Sequence, residues 1–243
     1  MASTGYPTLA NTEKHTLDDF HEALGLLSEE LAKQPIPSRE PLVLITSGDF
    51  LSMQLFHNRQ TSEDLDYVLV NETHAPYLQQ AFTHVCHELG WPNNWLSGNM
   101  SITCPTGDAR DVWVKEAIHQ NIIVYASDHL KIYAAKLQWC IASKMSRMAS
   151  YNPGANLLSR GITNNNAFEP AYQAKRDADV DDIAHMLKMV LDKRRRGWFG
   201  KMRTALTRGE IRSWQQDGYP ITDKTFEAVK EHYVVLYRKS PYQ

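Results

Sequence analysis

The amino-acid sequence predicts an α/β (α+β) protein, a small mixed-sheet domain over residues 1–126 followed by a helical part over residues 127–243. Three observations carry this expectation. Short apolar runs bounded by turn residues, at 42–46 and 65–70, read as strands. They alternate with stretches whose apolar residues recur at helical spacing, so strands and helices share the first half. After Ser127 the apolar residues recur at three and four, and helices alone are expected.

Taken in order, Thr16 resembles an N-cap with Asp18 and Asp19 in an acidic first turn. Phe20, Leu24, Leu27 and Leu31 then give an amphipathic helix to about Lys33, ended by Pro35 and Pro37. The buried strand 42–46 runs into the turn Ser47-Gly48 and a short helix at 49–57. The strand at 65–70 is introduced by Asp64 and Asp66, and Pro76 opens a helix that Gly90 closes. Segments 95–104 and 110–115 are expected to be strands around the turn Pro105-Thr106-Gly107-Asp108, with a further apolar run from Ile122 to Tyr125. Ser127-Asp128 then caps a long helix to about Met148, with Leu130, Ala134, Leu137 and Ile141 on one stripe. A polar, Asn- and Gly-rich stretch over 151–167 reads as a loop, and helices follow at 177–195, 200–215 and 222–237.

Composition narrows the class. With 42% hydrophobic and 22% charged residues, 243 residues suffice for one large domain or two small ones. No apolar run approaches the ~18 residues of a membrane span, and the polar start lacks the features of a secretory signal. Cys86, Cys104 and Cys140 are an odd, widely spaced set without C-x-x-C, which suits reduced thiols, so a cytoplasmic protein is expected. The net charge of −2 hides an asymmetry: from Lys193 to Arg212 there are eight basic residues against one acid, with Trp198, Phe199 and Trp214 interleaved or adjacent. Such a stretch suits RNA phosphates and stacking, or equally a set of solvated helix faces with their aromatics turned inward.

The chemistry concentrates around Gly48 and the two aspartates. Asp64 and Asp66 lie two apart on a strand, so their side chains share a face, roughly 6–7 Å apart. Like charges that close raise one another's pKa, a cost that a divalent cation removes, and hard oxygen ligands suit Mg²⁺ or Mn²⁺. A glycine turn before a helix N-terminus supplies N–H groups for a phosphate. His84 and His87 share a helix face, but no second pair of metal ligands accompanies them, and a structural role is expected.

The order strand, glycine turn, helix, Arg59-Gln60-Thr61, then Asp64-Leu65-Asp66 resembles the polymerase-β-like nucleotidyltransferase superfold. It is most similar to the branch of AbiEii-type toxins and aminoglycoside nucleotidyltransferases. Leu130-Lys131-Ile132-Tyr133-Ala134-Ala135-Lys136-Leu137 looks like that branch's lysine-bearing helix. Arg176 with Asp179-Val180-Asp181-Asp182 is similar to its later acidic helix. The resemblance spans about residues 40–190 and implies transfer of a nucleoside monophosphate from a nucleoside triphosphate (NTP) to an acceptor hydroxyl on an RNA end, a small molecule or a protein. It implies Asp64 and Asp66 as ligands of two Mg²⁺ ions and as catalytic residues, with a third carboxylate from a neighbouring strand. Asp111 is the first choice for that carboxylate, because it opens an apolar stretch, and Asp108 the second. Ser47 and Gly48 would hold the phosphates, and Lys136 would neutralise them.

The chain departs from the family pattern twice. One extra residue separates Thr61 from Asp64, so either Ser62 takes the threonine position or the turn is longer. Asp49 follows the glycine where a neutral residue is usual. These departures support the alternative of a fold retained for binding or for other chemistry in the same cleft. Asp179 and Asp182 have a simpler explanation as acids in a first helical turn.

Overall fold

The computed structural model describes residues 13–36, 40–150, 169–195, 206–215 and 220–242. The fold is mixed α and β, with eight α-helices among the described residues, a five-stranded mixed sheet and a two-stranded ladder. The chain divides into two compact units: Met1–Cys104 with Asn121–Ala134, and Pro105–Gln120 with Ala135–Gln243. Each unit thus draws on two stretches of chain, whereas the sequence suggests one boundary after residue 126.

In the first unit, strand β1 (His15–Thr16) leads into helix α1 (Leu17–Ala32). Thr16 and Asp19 form a reciprocal capping box, which satisfies N–H groups at the exposed helix start. Phe20, Leu24, Leu27 and Leu31 are buried along one stripe, as their spacing requires. Strand β2 (Leu42–Thr46) is followed by α2 (Asp49–Phe56), β3 (Thr61–Ser62), β4 (Leu65–Leu69) and α3 (Ala75–Leu89). Gly90 closes α3 in the left-handed conformation at φ 67°. Next come β5 (Leu96–Ser97) and a 3₁₀ turn at Gly98–Ile102, where the sequence suggests one strand over 95–104. The sheet is completed by β6 (Ile123–Ala126) and β7 (Leu130–Ala134) in the order β5-β4-β2-β7-β6. β2 is its centre, antiparallel to β4 and parallel to β7 over five residue pairs from Leu42↔Leu130 to Thr46↔Ala134. Phe20, Phe50, Phe82 and Trp95 meet in an aromatic cluster in the core, and His15 stacks on Trp91 at 3.7 Å.

The second unit contains α4 (Asp108–Gln120), α5 (Leu137–Ser150), α6 (Glu169–Arg195), α7 (Arg208–Arg212) and α8 (Asp223–Tyr237). Its core is built from Ile141 and Met145 of α5, Ile183, Met186 and Leu187 of α6, and Phe226, Val229 and Tyr233 of α8. Trp113 and Trp139 meet edge to face at 5.4 Å and fix α4 against α5. Among the described residues, no helix is long and apolar enough to cross a membrane.

Three further expectations are overturned. Residues 110–115 are helical: Trp113, Val114 and Ala117 are buried at helical spacing, and Asp108 and Asp111 occupy the first turn, where acids favour the helix dipole. Residues 130–134 form β7 and not the start of a long helix. Their spacing to Leu137 and Ile141 mimics a helix, but pairing with β2 buries Leu130, Ile132 and Ala134 in the sheet. Helix α6 begins at Glu169, eight residues before its expected start, with Pro170 in its first turn. The expected loop over 151–167 lies outside the described residues, as does 196–205 of the basic stretch. Arg208 and Arg212 of that stretch pair with Asp223 and lie over the Phe226 ring, and Arg208 also pairs with Glu227.

Candidate functional site

The first unit brings the glycine turn and the aspartate strand together. β2 and β4 pair antiparallel with Thr46 opposite Tyr67, so the end of β2 lies beside the start of β4. Thr46 Oγ1 donates to the Asp66 carbonyl at 2.7 Å and locks the two strands there. Gly48 is the N-cap of α2 at φ 84° and ψ −151°, a conformation essentially restricted to glycine. A Cβ placed on Gly48 would sit 3.7 Å from Asp66 Oδ2, so the turn and the carboxylate are neighbours. No side-chain hydrogen bond from the N-cap satisfies the first N–H groups of α2. Ser47 Oγ donates to the Met100 sulfur at 3.3 Å.

The two departures from the family pattern have physical accounts. The extra residue before Asp64 belongs to a ladder: Thr61 and Ser62 form β3, which pairs with Thr16 and His15 of β1. Ser62 is buried and its Oγ donates to the Asp64 carbonyl at 2.9 Å, which sets the entry into β4. Asp64 immediately precedes β4 and Asp66 lies within it, and both are half-buried. Arg59 Nη1 lies 2.9 Å from Asp49 Oδ2, so the acid that follows the glycine is balanced by a guanidinium.

The third carboxylate is a different matter. β4 lies between β2 and β5; β2 carries no carboxylate, and the β5 residue opposite Asp66 is Ser97. Asp111 is exposed in the first turn of α4, in the second unit, so the strand geometry that recommended it does not exist. Asp108 shares that turn. Among the described residues, no group of three or more His, Cys, Asp or Glu side chains is arranged to hold a metal ion. Lys136 is likewise in the second unit, ahead of α5 and paired with Glu116.

In the second unit the structure gathers charges that the sequence leaves scattered. Lys144 of α5 is buried, with Nζ 3.0 Å from Asp179 Oδ1 and 2.8 Å from Asp182 Oδ2 on α6. Arg147 binds Asp179 through two bonds, Nε to Oδ2 at 3.0 Å and Nη2 to Oδ1 at 2.6 Å. Burial would raise the Asp179 carboxyl, but the charges of Lys144 and Arg147 outweigh it and the pKa is lowered. Asp179 and Asp182 lie well inside α6, so a helix-dipole role does not account for them. The signal for Lys144 is a lone charge inside the apolar stripe of Ile141, Met145 and Met148, three residues before Arg147. On α3, His84 Nδ1 contacts Glu30 Oε2 of α1 at 3.1 Å, an inter-helix pair.

Comparison of the chain with protein-family models, with curated proteins and with solved structures gives no match.

Proposed function

We propose that the first unit carries a nucleoside triphosphate site and that the protein transfers a nucleotidyl group to an acceptor hydroxyl. The observation that supports this most is the seat of Gly48 beside Asp66 at the head of α2. A backbone with no side chain at that point lets phosphate oxygens approach both the helix N-terminus and the carboxylates. Ser47 and Gly48 lead the triphosphate to the first turn of α2. Arg59 offsets Asp49 and so reduces repulsion of the phosphates.

Mg²⁺ is commonly held by one or two carboxylates together with substrate phosphates, keeping several waters, and not by a protein-only cage. Asp64 and Asp66, with no third carboxylate grouped with them among the described residues, fit an ion that arrives with the nucleotide. When bound, Mg²⁺ or Mn²⁺ would polarise the phosphoryl group and lower the pKa of the acceptor hydroxyl. The chain's own part is to fix the two carboxylates: Thr46 holds the backbone at Asp66, and Ser62 holds it at Asp64. An RNA end, a small hydroxylated molecule or a protein hydroxyl would each serve as acceptor.

Thermal unfolding with each NTP, with and without Mg²⁺ or Mn²⁺, tests the proposal. Stabilisation is expected only when nucleotide and metal are both present, and Asp66→Asn should lose it while keeping its helical circular dichroism. Absence of a shift with every nucleotide and metal would overturn the site. Ser97 opposite Asp66 supports a second reading, a nucleotide-binding protein without transfer activity. In that case the shift occurs, yet α-labelled NTP yields no labelled product with RNA, small-molecule or protein acceptors.

A further inference from the structure

The second unit contains an open cavity of about 750 Å³, a groove along α4, the entry to α5, and α6. Its α4 wall is one helix face, since Val112, Lys115, Glu116 and His119 fall at i, i+3, i+4 and i+7. Gln120 ties the walls together. Its Nε2 donates to the Ala135 carbonyl at 3.2 Å, its Oε1 accepts from the Leu137 N–H at 2.9 Å, and its own carbonyl accepts from Lys193 Nζ at 3.4 Å. The opening is therefore held by hydrogen bonds from three segments.

The lining has a definite chemistry. Lys115, Lys136 and Lys193 bring three ammonium groups from the three segments. Among the described lining residues Glu116 is the one carboxylate and is paired with Lys136, which leaves two of the described ammonium charges in excess. Val112, 57% exposed although it is apolar, supplies apolar surface, with Leu137 and Val190 buried beneath the lining. Two surplus positive charges complement a phosphomonoester, which carries about −1.5 to −2 near neutral pH. Lysine binds phosphate as a point charge, and low-dielectric walls of one sign concentrate its field. The volume lies within the usual range for small-molecule sites, roughly 300–1,000 Å³.

We propose that this cavity binds a small phosphomonoester with a ring body, of the size of a nucleoside monophosphate. Lys115 and Lys193 hold the phosphate, and Val112 packs against the ring. Gln138 offers its amide to the edge of the ring. The site needs no metal and is independent of the triphosphate site of the first unit.

The test is calorimetric titration of the full chain in EDTA with each of the four common nucleoside monophosphates, ribose 5-phosphate, adenosine and inorganic phosphate. At least one monophosphate should bind more tightly than adenosine and more tightly than inorganic phosphate. Lys115 and Lys193 are both exposed, so Lys115→Glu/Lys193→Glu should keep the native circular dichroism. That variant should weaken binding by at least about a hundredfold, and Lys193→Gln alone by about tenfold. Asp66→Asn should leave this binding unchanged, which separates it from metal-dependent binding in the first unit. The proposal is overturned if no monophosphate binds in EDTA, if inorganic phosphate or adenosine binds as tightly as the best monophosphate, or if the charge-reversed variant binds as the wild type does.

Discussion

Replacing Lys144 by methionine removes one cation from the ion group it forms with Asp179, Asp182 and Arg147. The side chains of Lys144, Asp179 and Asp182 are 6%, 1% and 0% exposed, so solvent cannot take the place of the lost ammonium. Removing one partner of a buried ion pair costs about 3–5 kcal/mol, most of it from the charge left behind. Asp179 keeps two bonds to Arg147, whose side chain is 43% exposed, so part of the loss is offset there. That puts Lys144→Met near the lower end, about 3 kcal/mol. The pair Lys144→Met/Asp182→Asn restores charge balance and should recover about half of that loss. Urea unfolding at pH 7 with an unchanged m-value measures both effects. A Lys144→Met protein within about 1 kcal/mol of wild type would refute the reasoning, because it would mean that the buried aspartates do not depend on the ammonium. The pH dependence has a fixed sign. Asp179 is depressed below its ordinary value of 3.8, so its contribution is complete above that pH and is lost as pH falls through the folded value. Asp179→Asn should therefore flatten the stability curve below about pH 4.

Two further outcomes follow from local geometry. Gly48→Ala should cost about 1–3 kcal/mol in urea unfolding through backbone strain alone, since its new methyl would meet Asp66 Oδ2 at an ordinary contact distance of 3.7 Å; a neutral or stabilising effect would contradict the positive φ. The Cys140 thiol is pushed up to about 12 by burial against the opposing charge of Lys144, so native protein treated with iodoacetamide at pH 8 should label at half-buried Cys86 well before Cys140, as read by peptide mass. Equal labelling rates would count against the buried position of Cys140.

The parts of the candidate site that were legible in the sequence are those set by local chemistry. The turn after β2 needs a glycine because its φ is positive, and Gly48 stands there; Thr46 and Ser62 then fix what the turn meets. The first helix was equally legible, because its cap and its apolar stripe agree. Where the reading failed, a local pattern had two solutions. Val112-Trp113-Val114 resembles a strand, but only Trp113 and Val114 need burial and the flanking residues favour a helix. Leu130 to Ala134 fits a helical stripe as well as a strand, and its partner β2 lies 88 positions away at Leu42↔Leu130, beyond any local signal. The ion group of Lys144 shares that origin: its aspartates come from another helix, with 34 residues between Lys144 and Asp179. Lys136, placed by its sequence in an apparent helix, pairs with Glu116 of α4, just beyond the segment 110–115 expected as a strand.

The interleaving of the two units has a consequence for how the protein can be made and cut. Residues 105–120 belong to the second unit, yet the chain must return to supply residues 121–134 to the first. During synthesis, the central strand emerges early but lacks one of its two neighbours until residue 134 has left the ribosome, and it spends that interval with an exposed edge. Division after residue 126 would strand β7 on the wrong fragment, and α4 with the other. Neither unit corresponds to a continuous gene segment, so dissection of this protein calls for point substitutions or circular permutation in place of truncation.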